Sequence, residues 1–188
     1  MTRYFFADNT VLINFSLIGR PDILDWFVRN CGAWCETVCQ EWSRSANKLN
    51  LENSWEEILS DPLRPDRAER VDASAIAESM RKPGESQLSK NAGEAETLAI
   101  ILRRKLDAVI MTDDKEATRV ACKERIPVAS TARILVSAEL TGKITRDQVT
   151  EYISLLDSRN QGIGVFPLVE GYVNLFEIHE RAYKKQAK

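Results

Sequence analysis

With one histidine, His179, and four cysteines in 188 residues, the chain holds few of the nitrogen and sulfur ligands from which zinc centres are built. Cys31, Cys35 and Cys39 recur every four residues. That spacing would stack them along one stripe of a helix, whereas a structural zinc site adds a second, distant pair. The reading is reduced thiols that pack as small apolar groups. Continuous apolar runs of about 18 residues are also missing, so no spanning helix is expected. The N-terminus passes from Arg3 straight into RYFFA, without the charged, apolar and small-residue zones of a secretory leader, and the expected location is cytoplasmic. Nor is there an excess of positive charge. Lys and Arg number 26 against 28 Asp and Glu, a net charge of −2. This excludes a module that holds nucleic acid by bulk electrostatics; any such ligand must meet a local patch.

What the chain does have is a 44% hydrophobic composition, enough for one well-packed core, and it reads as a single domain over 1–188. Arg3 to Ala7 reads as a short buried strand, Val11 to Leu17 as a helix that Asp8 or Asn9 can cap, and Pro21 to Arg29 as a second helix. A short strand is expected within Cys31 to Glu36 and a helix from about Glu36 to Ala46. The polar stretch from Asn47 to Lys90 contains Pro62, Pro65 and Pro83 and reads as an inserted helical arm, with helices at Ala68 to Met80 and around Trp55 to Leu59.

After it comes plain alternation. A helix over Gly93 to Lys105, a strand over Ala108 to Thr112, a helix over Lys115 to Glu124, a strand over Pro127 to Ala129 and a helix opened by Ser130-Thr131 follow in turn. Two amphipathic segments, Arg146 to Leu156 and Leu168 to Tyr183, form a helical C-terminal extension from about 143 to 188; the second, with Val169, Tyr172, Val173, Phe176 and His179 near one face, can cover the core or meet a partner. Strands that alternate with helices imply an α/β fold of three layers, α/β/α, around a mostly parallel central sheet. Such sheets bind ligands beyond the carboxyl ends of their strands.

Acids stand where those ends should be. Asp8 follows the first strand, Asp113 and Asp114 follow the strand over 108–112, and Thr131 follows the last. Glu41 lies at the edge of a helix stripe. Glu94 continues the side of Leu98, Ile101 and Lys105, whereas Glu96 points toward Ile100, Arg103 and Arg104. Taken singly, each has an ordinary explanation: caps for Asp8, Asp113 and Asp114, a helix-dipole acid for Glu96, a solvated flank for Glu41. Together they do not. Unit charges about 4 Å apart repel by roughly 4 kcal/mol at an effective dielectric near 20, so several carboxylates on one rim need a cation or raised pKa values. Oxygen donors without a nearby histidine favour Mg²⁺ or Mn²⁺.

The segments YFFADNT, VCQEW, GEAETLAIIL, AVIMTDDKEATRVA and PVASTARIL, in this order, resemble the PIN domain, a nuclease fold of prokaryotic toxin ribonucleases and other RNA-processing enzymes. The resemblance covers roughly residues 3 to 142. It implies that Asp8, Glu41, Glu94 and the Asp113-Asp114 pair are the acidic site residues, that Thr131 is the accompanying hydroxyl, and that Asp8, Glu94 and one or both aspartates of the pair bind the metal. Ser130 stands where a glycine is commoner. The implied activity is Mg²⁺-dependent endoribonucleolytic hydrolysis, with Lys115, Arg119, Arg103 and Arg104 drawing RNA in, and with an antitoxin protein and a homodimer as partners known among relatives. Two alternatives stay open: a catalytically silent RNA- or protein-binding PIN-like module, and a HAD-like phosphohydrolase, which would need an acid where Thr10 stands.

Overall fold

The computed structural model describes residues 2–52, 54–81 and 91–159. Four strands form its sheet: β1 (Tyr4–Ala7), β2 (Gly32–Ala33), β3 (Ala108–Met111) and β4 (Val128–Ala129). Every pairing is parallel and the order is β2-β1-β3-β4. Eight helices accompany them among the described residues: α1 (Asn9–Leu17), α2 (Pro21–Val28), α3 (Glu36–Leu49), α4 (Arg67–Met80), α5 (Ala92–Arg104), α6 (Lys115–Lys123), α7 (Thr131–Leu140) and α8 (Arg146–Arg159).

The order of strands decides the layers. From β1 the chain steps outward to β2, then returns past β1 to β3 and on to β4, so its crossovers run in opposite directions. Right-handed crossovers therefore put α1 and α2 on one face and α3 to α6 on the other. Packing agrees: α7 lies against α2 and α1 with α8 behind it, while α4, α5 and α6 form the second layer together with α3. Between β1 and β3 the connections diverge to opposite faces, and there a crevice opens beyond the strand ends. Asp8 and Thr112-Asp113-Asp114 leave the sheet at that point.

One apolar core runs through all three layers, from Phe6 and Phe15 through Trp34, Leu98 and Ile110 to Leu135 and Leu156. β3 is buried along its whole length, as expected for a strand covered on both faces. Among the described residues no helix is long and apolar enough to cross a membrane.

Three expectations change. The segment around Trp55 to Leu59 is a turn, and beyond it Leu59 and Leu63 bridge in parallel to Gly32 and Cys35, extending the edge of the sheet beside β2. The region read as an arm is therefore part of the body, with α4 packed on α5; residues 82–90 lie outside the described residues. Cys31 precedes β2, Cys35 caps α3 and Cys39 lies within that helix, in line with the strand expected within Cys31 to Glu36. All four thiols are free, and burial pushes the Cys35 thiol up. α3 also runs past Ala46 to Leu49, where Asn50 in the left-handed region ends it. The segment Leu168 to Tyr183 lies outside the described residues.

α4 is anchored by a buried acid that sequence periodicity does not single out. Glu69, 1% exposed, closes a capping box with Asp66 and accepts from Arg104 Nε at 2.7 Å and Nη2 at 2.8 Å. The guanidinium holds the Glu69 carboxyl below its usual range. Glu69→Ala removes cap and pair together, and we expect it to cost about 2 kcal/mol, less than a fully buried pair because Arg104 keeps partial access to water. Urea unfolding measures this; a loss below about 0.5 kcal/mol would show the anchor to be dispensable.

Candidate active site

Asp8 is placed by β1 and held by α1. Its backbone N–H donates to the Met111 carbonyl, which fixes the end of β1 against β3, and its side chain accepts from the Thr10 N–H at 3.2 Å as the N-cap of α1. The residue is only 3% exposed. Burial raises its carboxyl to about 6; the Thr10 and Asn9 amides oppose this, and Asp113 adds a smaller repulsion.

Glu94 enters from the first turn of α5 and is buried at 7% exposure. Burial pushes its carboxyl well above the usual range, and Asp8, Glu41 and Asp114 push it further. Glu41, on α3, is raised to about 7, first by burial and then by Asp8, while the Gly93 amide and Arg44 oppose. Gly93 makes this approach possible. A Cβ there would stand 2.7 Å from Val38 Cγ2 and 2.8 Å from Glu41 Oε2, so any side chain would push the carboxylate away from the start of α5.

The aspartate pair divides. Asp114 is the N-cap of α6: its Oδ1 accepts from the Glu116 and Ala117 amides at 2.7 and 2.8 Å. Asp113 is clasped on both oxygens. Oδ1 accepts from the Thr131 amide at 2.9 Å, and Oδ2 accepts from the Thr131 hydroxyl at 2.5 Å and from Asn14 Nδ2 at 3.1 Å. Burial raises the Asp113 carboxyl, against the pull of Thr131 and Asn14. Thr131 thus ties β3 to α7, and Ser130 caps that helix by accepting from the Arg133 amide.

Asn14 is the residue that periodicity missed. It is 2% exposed and donates to both Asp113 and Thr131, at 3.1 and 3.2 Å. The available signal was an asparagine inside the apolar run Val11-Leu12-Ile13-Asn14-Phe15, an unfavourable mid-helix position for a side chain that competes with the backbone. Glu96 has a different task from Glu94: it accepts from the Thr37 amide and hydroxyl, at 3.1 and 2.6 Å, and so stabilises the start of α3.

Asp8, Glu41, Glu94 and Asp114 therefore act on one another electrically, with Asp113 beside them but turned to α7. Among the described residues, no three Asp, Glu, His or Cys side chains are gathered as a ready ligand set for an ion. Each carboxylate is turned instead to its own local donors. The donors still suit a hard divalent cation: all are oxygens, their charges oppose one another, and Asn9 Oδ1 is buried beside them without a hydrogen-bond partner. A family model described as a PIN domain matches residues 5–163. The chain belongs to the PIN domain family. Members of this family are generally nucleases and usually use divalent metal ions. No curated protein and no solved structure matches the chain. As a PIN domain it takes the three-layer α/β/α arrangement with the parallel sheet described above.

Proposed function

We propose that this PIN domain is a divalent-metal-dependent endoribonuclease, with Mg²⁺ or Mn²⁺ as its ion and RNA as its substrate. The observation that carries the reading is that buried Asp8 and Glu94 and half-buried Glu41 meet where the crossovers diverge, their carboxyls raised first by burial and then, for Glu41 and Glu94, by the charge of Asp8. Carboxylates kept together in a dry crevice are stable as anions only with a cation among them. Asp8, Glu94 and Asp114 would hold it; Oδ2 of Asp114 is the oxygen left over from capping α6, whereas both oxygens of Asp113 are engaged by Thr131 and Asn14. A bound divalent ion supplies Lewis-acid stabilisation of the scissile phosphate and activation of the attacking water.

The chain's own groups do the rest. Glu41, fixed against the Gly93 amide, orients the water for in-line attack and accepts its proton. Asp113, Thr131 and Asn14 form a rigid clasp that holds the wall of the crevice at the start of α7. Family membership is also the support for an antitoxin partner and for a homodimer. The test is to incubate the purified chain with total RNA in Mg²⁺ and in EDTA. Cleavage in Mg²⁺ that stops in EDTA is expected; binding of RNA with no turnover in either would identify a silent binding module instead.

A further inference from the structure

Three of the four cations that the sequence offers to RNA are engaged elsewhere. Arg103 is held by Asp72, Arg104 by Glu69, and Arg119 by Glu116 and the Ser79 carbonyl. They brace α4 against α5 and α6, and their charge is spent locally.

α3 offers a different surface. It lines the crevice through Glu41 and through Ser45, whose hydroxyl accepts from Asn9 Nδ2 at 3.1 Å, so this side of the helix faces the residue next to Asp8. Arg44 and Lys48 stand three and seven residues after Glu41, positions that share its side of a helix. Both are exposed, and neither forms an ion pair or side-chain hydrogen bond with the described residues. The helical rise sets them about 6 Å apart along the axis. Arg44 is close enough to Glu41 to offset part of its burial.

We propose that the α3 ridge formed by Arg44 and Lys48 grips the phosphates of the single-stranded RNA next to the scissile bond. The proposal rests on the nuclease reading and names the surface that holds its substrate. A polyanion that enters a crevice walled by carboxylates needs cations at the rim that no protein acid has already claimed. Arg44 supplies a planar fork suited to phosphate oxygens, and Lys48 a second charge one turn further out.

The experiment titrates a single-stranded RNA oligonucleotide in Mg²⁺ by fluorescence anisotropy at several salt concentrations, in an Asp8→Asn background that spares the probe. Each phosphate contact on a single strand contributes about 0.7 to the slope of log K against log salt. Arg44→Gln with Lys48→Gln should therefore reduce the slope by about 1.4, and Arg44→Lys alone should retain it. Arg103→Gln with Arg119→Gln should leave the slope unaltered. In the cleaving protein the ridge variants should raise KM. An unchanged slope in the double ridge variant, or an equal fall in the Arg103 and Arg119 variant, overturns the ridge. RNA binding that loses this slope in a chain that never cleaves would keep the ridge and remove the nuclease.

Discussion

Asp8→Asn is expected to reduce Mg²⁺-dependent RNA cleavage by at least about 100-fold while leaving the protein folded and, in EDTA at pH 8, more stable than the parent. The two halves come from different physics. Asparagine keeps an acceptor for the Thr10 amide and is as good an N-cap as aspartate, so α1 should start where it does now. It removes a charge, however, and with it one of the groups proposed to hold the ion. In the parent the Asp8 carboxyl is raised from 3.8 to about 6, so at pH 8 the buried residue is ionised against its environment. Relief of that burden should raise the melting temperature in EDTA, and the same change should abolish the extra stability that Mg²⁺ confers. A merely structural Asp8 would behave oppositely: stability would fall and activity would follow it. Full cleavage by a folded Asp8→Asn protein would remove Asp8 from the machinery and with it the proposed mechanism.

Parts of this site were legible because they depend on local rules. A strand that ends in an acid before a helix is visible at Asp8 and again at Asp113-Asp114, and the phase of α5 separates buried Glu94 from Glu96 without any knowledge of the sheet. Parallel order and three layers follow from the same alternation. What sequence pattern could not show is pairing across distance. Asn14 meets partners 99 and 117 residues away, so nothing near it marks it as more than a tolerated polar residue in α1. Arg104 reads as a cation available to RNA until Glu69, 35 residues earlier, is seen beneath it. The segment after Trp55 has apolar spacing that suits a helix, yet its Ser60 and Leu63 amides donate to the Gly32 and Trp34 carbonyls at the edge of the sheet, a demand set by the sheet and invisible in a local window. Gly93 needed a neighbour to explain it, since its lack of a side chain matters only because Glu41 and Val38 stand against it.

The metal-free protein should lose stability as pH rises from 5 to 8, and Mg²⁺ should restore more of it the higher the pH. Glu41 goes from 4.5 to about 7 on folding and Asp8 from 3.8 to about 6, with Glu94 shifted in the same direction, so the folded state binds protons more tightly than the unfolded chain. Their contribution is fully present below about pH 4 and is lost as pH climbs through the folded values near 6 and 7. Asp22 and Glu69 are shifted down by Arg20 and Arg104 and work the other way, but their change is complete at and below the ordinary carboxylate range and leaves the interval from 5 to 8 untouched. For Glu41 alone the shift corresponds to about 3 kcal/mol, and because the acids repel one another the total is less than their separate sum. A loss of about 3 kcal/mol in a chain of this size lowers the melting temperature by roughly 6 to 12 °C. A divalent ion that binds only the folded crevice reverses that loss by mass action, most strongly where all the carboxylates are ionised. Melting curves in EDTA and in Mg²⁺ at half-unit pH steps make the comparison. A flat EDTA profile between pH 5 and 8 would mean that the acids do not share a crevice in solution, and a Mg²⁺ gain that persists undiminished in Asp8→Asn would place the ion somewhere else on the protein.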